Sequence, residues 1–300
     1  MRDKLTSGLS QATAAYIMWG LFPLYWALIA HIAAIEVMAH RVLWSFIFLL
    51  LMLLYRRRLN TALLALADKK NRLLLTASAF LLSVNWSLYI WSVTNGHVIE
   101  ASMGYYITPL VNILLGAVFL GERLRRFQYL AVAFAVVGVL VMTLTYGRIP
   151  WIALTLAVCF GFYALLRKYV QAGAQTALLV ETGLVLLPAL LYLIFAAPNN
   201  AIVTDTWEHK LLLIGGGVVT SLPLIFLANG LKVLTLSTIG FLQYISPTLQ
   251  LLCGVFVFHE TFDTGRLVSF AFIWVGLAIY TGEALLMHKF RRHSDTSLLK

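Results

Sequence analysis

Charged side chains interrupt apolar stretches that are long enough to cross a bilayer. Arg41 lies in the stretch 36–55, directly after His40 and close to Glu36. Arginine is effectively always charged, and ionisable residues in such stretches mark substrate paths, proton relays or paired charges. Glu36 and His40 share a helix face because they are four residues apart. Two interpretations of Arg41 follow: a functional or gating charge, or a structural ion pair with Glu36 or Glu100 at the outer ends of the helices.

Glu181 is a second charge within an apolar stretch, residues 176–196. When the two halves of the chain are aligned, it stands roughly where Arg41 does, but in the opposite leaflet, so no direct bridge between them is expected. Loss of water around a carboxylate favours its protonated form. Glu181 is therefore the hypothesis for a proton-coupling group. The alternative is a carboxylate held by Arg167 or Lys168 at the inner surface.

Two stretches carry the same arrangement of proline, amide and glycine. The first reads YITPLVNILLGAVFLGE (106–122), and the second reads YISPTLQLLCGVFVFHE (244–260). A proline inside a helix leaves the carbonyl four residues back without its donor. In hydrocarbon that carbonyl needs a side chain, water or a ligand. The residues that share one helix face are Tyr105, Pro109, Asn112 and Gly116 in the first stretch and Gln243, Pro247, Gln250 and Gly254 in the second.

These two faces are predicted to line a substrate cavity, with the prolines as candidate gates. The alternative is that the prolines only shape the helices while the amides bond to neighbouring helices. Polar and aromatic residues elsewhere are further candidates for lining the path of a flat organic solute: Trp19, Asn85, Tyr89, Tyr163 and Tyr244. For each of these, packing or anchoring at the membrane interface is the alternative.

The matching stretches belong to a tandem repeat of the whole chain. A shift of 138 positions carries Pro109 to Pro247 without a gap, and it also carries Phe134 to Phe272 and Gly138 to Gly276. An internal repeat constrains the architecture because both halves must adopt related folds.

The composition is that of an integral membrane protein. Hydrophobic residues make up 61% and charged residues 11%, and the mean hydropathy is +0.88. Runs such as 132–142 are continuously apolar, which favours helices over the alternating strands of a barrel. An all-α fold of ten transmembrane helices is predicted. The spans are 9–30, 36–55, 72–94, 98–120, 125–146, 150–168, 176–196, 210–231, 236–258 and 266–287.

Basic residues indicate the orientation. With both termini in the cytoplasm, only Arg148, Lys210 and Arg266 of the 22 Lys and Arg residues fall in outer loops, and only Arg41 lies within a span. Five spans in each half place the second half upside down relative to the first. Inverted repeats of this kind are a transporter architecture, with the substrate site near the midplane between them. The net charge of +10 is read as an orientation signal towards anionic lipid, and nucleic-acid binding is not expected.

Several motifs resemble those of a known family. They are HRVLWS (40–45), EASMGY (100–105), PLVN (109–112), GER (121–123), QYISPT (243–248) and FIWV (272–275). The chain resembles the EamA-type, ten-helix members of the drug/metabolite transporter superfamily, and within it the RarD-type permeases. The resemblance covers nearly the whole chain. It implies a first EamA repeat at 1–146, a second at 150–287, a cytoplasmic tail at 288–300, and a carrier in the cytoplasmic (inner) membrane.

The function expected from these features is secondary transport, with export of small organic metabolites or drugs by alternating access. Possible proton coupling, contact with membrane lipid and a monomer or homodimer are also expected. Ala131 and Ala135 suit close helix contact, which serves either packing within the fold or a dimer face. No Walker A, HExxH or GxSxG motif occurs, so no enzyme activity, cofactor or metal is predicted. The alternative is a membrane-embedded enzyme or flippase acting on a lipid-linked substrate. Its candidate residues at the outer side are Glu36, His40, Arg41, His97 and Glu100.

Overall fold

The protein is all-helical in a computed structural model that describes residues 2–121, 123–197, 201–231, 233–234 and 242–297. Two of its helices continue into π-helical turns, which are Tyr192–Ala196 and Cys253–Val257. The helices are α1 (Arg2–Ala27), α2 (Ala34–Tyr55), α3 (Asn60–Ala67), α4 (Lys69–Thr94), α5 (Val98–Leu120), α6 (Arg126–Tyr146), α7 (Trp151–Tyr169), α8 (Ala174–Leu191), α9 (Ala201–Thr204), α10 (Trp207–Leu231), α11 (Ile245–Leu252) and α12 (Thr264–Ser297).

Among the described residues, eight helices are long and apolar enough to cross a membrane: α2, α4, α5, α6, α7, α8 with its π-helical turn, α10 and α12. They coincide with eight of the ten predicted spans. The predicted span 9–30 overlaps α1, and the span 236–258 overlaps the shorter apolar segment Ile245–Val257. Glu122, Lys232 and residues 236–241 of that span lie outside the described part of the chain.

The structure differs from the predicted spans in three places. The short helix α3 lies where a loop was predicted, and it buries Ala62 and Ala65. Helix α4 begins at Lys69 because the Asp68 carboxylate accepts a hydrogen bond from the Asn71 backbone N–H at 2.7 Å. Helix α12 continues to Ser297, well beyond the predicted end of the last span.

The helices pack in a specific set of pairs. α6 lies against α12, and α5 lies against α7 and α11. α2 packs between α10 and α8, while α4 packs between α7 and α8. α1 completes the arrangement by packing on α10 and α11.

Small residues allow α6 and α12 to approach closely. A Cβ atom added at Gly138 would lie 2.8 Å from the Ser269 carbonyl oxygen, and one added at Gly276 would lie 2.7 Å from the carbonyl oxygen of Ala131. Ala131 and Ala135 are buried in the same contact region of α6, so their small side chains serve packing within the chain.

Two loops are joined by a polar cluster of three side chains. His31 follows α1, whereas Asp205 and His209 lie at the start of α10. Each imidazole places a ring nitrogen 2.7 Å from a different oxygen of the Asp205 carboxylate. The ligand atoms of the three residues lie within 4.8 Å of one another, so they could hold a metal ion. The sequence analysis missed this group because His31 is distant in the chain from the other two.

Replacing Gly276 should loosen the α6–α12 contact. We expect Gly276→Ala to lower the free energy of unfolding by about 1–3 kcal/mol, since the added methyl group meets backbone that cannot move aside. The measurement is thermal or denaturant unfolding of the purified protein in detergent. Gly282→Ala is the matched control on the same helix, because nothing lies within 4 Å of its added Cβ. Equal effects of the two substitutions would contradict the close approach.

The loop cluster should make stability depend on acid. Hydrogen bonds from His209 and His31 hold the pKa of the Asp205 carboxyl well below its usual range. A lowered pKa in the folded state stabilises the protein above the unfolded value of about 3.9, and that contribution is lost as the pH falls further.

We therefore expect Asp205→Asn to lower the melting temperature at neutral pH, with the difference from the native protein shrinking below about pH 4. Thermal unfolding across this pH range provides the measurement. Glu283→Gln, which removes a carboxylate from α12, is the control. A constant difference at every pH would show that the carboxylate charge is not responsible.

Candidate functional site

The Arg41 guanidinium is enclosed by aromatic rings. Arg41 lies on α2 and is 4% exposed. Its Cζ atom lies 4.0 Å from the Trp86 ring centroid, 5.2 Å from that of Trp26 and 5.9 Å from that of Phe22. Its Nε donates a hydrogen bond to the Thr220 hydroxyl on α10 at 2.8 Å. Residues of both halves of the chain therefore surround this charge.

The expected ion pair of Arg41 with Glu36 or Glu100 is not formed. No salt bridge among the described residues includes Arg41. An unpaired arginine within a membrane costs at least about 2.5–3.5 kcal/mol on insertion scales. Cation–π contacts recover about 2 kcal/mol or more when they are desolvated. The rings thus replace the carboxylate as the main compensation for the charge.

Glu36 and Glu100 instead accept hydrogen bonds at helix starts. The Glu36 carboxylate accepts from the Ala201 backbone N–H at 2.5 Å, and Glu100 accepts from that of Ile152 at 3.2 Å. Glu100 also pairs with the exposed Arg148 at 3.8 Å. Both carboxylates therefore supply acceptors that the first N–H groups of α9 and α7 need.

The residues expected for a membrane-embedded enzyme contact different elements. Glu36 contacts α9, Glu100 contacts α7, and Arg41 contacts α10. His97 stacks on Trp91 of α4, with ring centroids 5.4 Å apart, and His40 is buried on α2. These contacts of Glu36, Glu100, Arg41 and His97 therefore do not converge on one reaction centre.

Several predicted cavity residues do lie together. The Tyr89 and Tyr105 rings meet edge to face, with ring centroids 5.7 Å apart. The Tyr105 hydroxyl donates to the Asn85 side-chain oxygen at 3.4 Å, and the Asn85 amide donates to the Leu156 carbonyl at 3.1 Å. Asn85 and Tyr89 are buried, while Tyr105 is half-buried.

Aromatic contacts extend this group to Glu181. Tyr105 touches Phe160, and Phe160 touches Tyr163 at 5.8 Å. The Tyr163 hydroxyl donates to Glu181 at 3.4 Å. We call Arg41, Asn85, Tyr89, Tyr105, Tyr163 and Glu181 the polar–aromatic cluster.

Glu181 is satisfied by neighbours on two other helices. Its carboxylate accepts a 2.6 Å hydrogen bond from the Ser78 hydroxyl on α4. The Arg167 guanidinium of α7 lies 3.7 Å from the carboxylate, which is an ion pair without a hydrogen bond. This is the partner that the structural interpretation of Glu181 expected, and Glu181 is 1% exposed.

A small pocket lies between Glu181 and Trp86, the ring that contacts Arg41. Its volume is about 10 Å³, room for about one water molecule and far below the roughly 300–1,000 Å³ of typical ligand sites. Its wall includes Glu181 and Trp86, and the Arg41 guanidinium lies over the ring of Trp86. The other lining residues are Val42, Ala79, Leu82, Ser83, Thr182 and Val185.

The two matched prolines have different surroundings. Pro109 lies inside α5, as predicted. Pro247 lies in the first turn of α11, which follows a turn at Gln243 and Tyr244, so the kink at this residue stays a prediction. A proline is tolerated in the first turn because the backbone N–H groups there have no partner within the helix.

The remaining predicted cavity residues lie apart from the polar–aromatic cluster. The Gln250 amide donates to the Trp19 carbonyl at 3.1 Å, which ties α11 to α1. Tyr244 stacks on Tyr106, with centroids 6.4 Å apart. Asn112 is exposed on α5, and Gln243 is half-buried before α11.

The sequence analysis missed three residues that contact the charged groups. Phe22 and Thr220 contact Arg41, and Ser78 contacts Glu181. A phenylalanine or a hydroxyl in an apolar helix carries no signal by itself, so these partners could be found only once the helices were packed.

Comparisons with known proteins agree with the fold. Residues 6–144 and 148–282 each match the EamA-like transporter family. The chain is 46% identical over 280 residues to a protein named RarD from Salmonella typhimurium, covering 93% of this chain and 95% of that protein. It is 42% identical to an uncharacterized transporter of Vibrio cholerae over 93% of each chain.

More distant relatives span the same length. The chain is 28% identical to a chloramphenicol-sensitive protein RarD of Pseudomonas aeruginosa, covering 95% of this chain and 97% of that protein. A solved crystal structure of a protein without a functional name is 18% identical and has a TM-score of 0.62, covering 94% of this chain and 99% of the other. This last likeness concerns the fold alone.

The apolar helices and the transporter relatives define a multi-pass membrane transporter of the bacterial inner membrane. The chain belongs to the EamA-like transporter family, which confirms the resemblance found in its motifs. The family implies a small-molecule substrate, and the relative from Vibrio cholerae is named a transporter.

Glu181 and Arg167 should be energetically coupled. Arg167→Met leaves a buried carboxylate without its cation, a change that costs about 3–5 kcal/mol in buried pairs. We expect the double variant Arg167→Met/Glu181→Met to be more stable than Arg167→Met alone, with a coupling energy of roughly 0.5–3 kcal/mol. Unfolding of the four proteins gives the cycle, and Arg56→Met on the exposed surface is the control. Additive single effects would contradict the ion pair.

Proposed function

We propose that the protein is a secondary transporter that exports small organic metabolites or drugs by alternating access. Its two halves, residues 1–146 and 150–287, act as inverted EamA repeats of five transmembrane helices each, with both termini in the cytoplasm. The halves rock around a central cavity, as in other transporters built from inverted repeats. The observation that carries this proposal is the reciprocity of the contacts between the halves.

The most extensive helix pairs obey this reciprocity. Under the shift of 138 positions, α1, α2, α4, α5 and α6 correspond to α7, α8, α10, α11 and α12. The pair α2–α10 then has its counterpart in α8–α4, and α5–α7 has its counterpart in α11–α1. The pairs α6–α12, α5–α11 and α2–α8 join equivalent helices. A two-fold axis produces this pattern, because each patch then meets its own equivalent.

Individual residues support the same symmetry. Gly138 approaches Ser269, while Gly276 approaches Ala131. Each residue of the first contact is carried to a residue of the second by the shift of 138 positions. The equivalent residues Phe134 and Phe272 also touch, with ring centroids 6.0 Å apart.

The polar–aromatic cluster is the substrate region in this proposal. It combines flat rings with a few polar groups, which suits an amphipathic organic solute. The name of the Pseudomonas aeruginosa relative makes amphenicol antibiotics reasonable test compounds. Asn112, Pro109, Gln243, Gln250, Pro247, Tyr244 and Trp19 are proposed to line the path on either side of the cluster.

Glu181 is proposed to exchange the proton that drives export. It is the buried carboxylate at the pocket wall, and hydroxyl groups of Ser78 and Tyr163 lie within reach as partners. Arg167 can stabilise the deprotonated state.

Ligand-induced stabilisation tests the carrier function directly. A ligand that binds only the folded protein raises its melting temperature by mass action. We expect at least one member of a panel of amino acids, aromatic metabolites and amphenicols to do so, with loss of the shift in Gln243→Ala and Asn112→Ala. Asn95→Ala, which removes an exposed amide at the end of α4, is the control.

The same compound is then loaded into proteoliposomes, where its efflux should increase with an inward-directed proton gradient. Glu181→Gln should abolish the dependence on the gradient while binding persists. Stabilisation only by a lipid-linked compound, lost on Glu100 or His40 substitution, would contradict the carrier and support the enzyme or flippase.

A further inference from the structure

Three hydrogen-bond donors near the centre of the protein have no acceptor. They are Arg41 Nη1, the Tyr89 hydroxyl and the Trp26 indole N–H, and all three residues are more than nine-tenths buried. The Arg41 guanidinium lies over the Trp26 ring, and Tyr89 belongs to the same polar–aromatic cluster. Buried donors are normally paired with protein or water. A shared lack of acceptors around one cation therefore points to a ligand that supplies them.

The aromatic rings leave the in-plane donors of Arg41 available. A guanidinium is a planar fork, and a cation–π contact uses its face, whereas its N–H groups lie in the plane. Thr220 accepts from Nε, and Nη1 remains without a partner. Such a fork matches the two oxygens of a carboxylate.

We propose that Arg41 binds the carboxylate of a monoanionic organic substrate whose apolar body lies along the ring of Trp86. This inference rests on the proposed carrier function and specifies the substrate class for it. A single guanidinium compensates a single negative charge. Tyr89 and Trp26 complete the donor set.

The pocket next to this charge has a volume of about 10 Å³, so the substrate must widen it on binding. Trp86 forms part of the pocket wall, and its ring face also contacts the Arg41 guanidinium. A ligand in the pocket therefore lies beside the cation. Most of the other lining side chains are apolar, as the body of an aromatic or aliphatic acid requires.

Matched acids and amides separate charge from shape. The probes are benzoate with benzamide, phenylacetate with phenylacetamide, and indole-3-acetate with indole-3-acetamide. Each is added to the purified full-length protein, and thermal unfolding is followed at constant ionic strength against sodium chloride. We expect at least one acid to raise the melting temperature in a saturable manner, while its amide and chloride do not.

Substitutions then assign the effect to Arg41. We expect Arg41→Gln to abolish the acid-dependent shift, and Arg41→Lys to weaken the half-saturating concentration at least tenfold because the fork is lost. Arg56→Gln removes an exposed arginine and should bind the acid as the native protein does.

Tyr89→Phe distinguishes a binding role of the Tyr89 hydroxyl from a structural one. Its hydroxyl has no partner, so the melting temperature without ligand should not fall. The half-saturating concentration of the acid should nevertheless rise several-fold. Size-exclusion chromatography verifies that every variant is folded.

Each remaining outcome contradicts the proposal. Equal stabilisation by acids, amides and chloride would overturn it, as would an acid-dependent shift that persists in folded Arg41→Gln or Arg41→Lys protein. If only uncharged members of these pairs or amphenicols stabilise the protein, and Gln243→Ala abolishes that shift, the carrier function stands while the anion site is wrong. If no compound of either class stabilises the protein, both are wrong.

Discussion

The absence of water in hydrocarbon governs the placement of polar groups in this protein. Backbone N–H groups at helix starts have no partner within their own helix, so carboxylates from elsewhere accept from them. Glu36 and Glu100 do this for α9 and α7, and Glu260 accepts from both Val98 and Ile99 at the start of α5. These buried carboxylates, which would be costly without partners, thereby link one helix to another through hydrogen bonds.

The two deeply buried charges are stabilised in different ways. Glu181 receives hydroxyl hydrogen bonds and lies near a cation, so its environment is polar on several sides. Arg41 has ring faces and one threonine hydroxyl. A carboxylate can gain a proton to lose its charge, whereas a guanidinium cannot. The less compensated of the two groups is therefore the one whose charge is permanent, and this difference makes Arg41 suited to a ligand.

Hydropathy and the internal repeat predicted the helices well but not their contacts. The predicted span 98–120 coincides with α5 because twenty or so apolar residues have few alternatives in a bilayer. Helix α3 was missed because eight residues are too short for such a signal. The partners of Arg41 depend on which faces of α2 and α10 meet, and the sequence alone does not predict those faces. The same applies to His31, which only the folded chain brings to Asp205 and His209.

The unequal surroundings of Pro109 and Pro247 have a consequence for motion. Equivalent positions of a duplicated sequence here adopt two backbone forms, one within a continuous helix and one at a helix start. The same order of proline, amide and glycine is therefore compatible with both forms. If the halves trade these forms, the opening on one side of the membrane is converted into its mirror on the other. The duplication would then encode both end states of the cycle, and neither half would need a mechanism of its own.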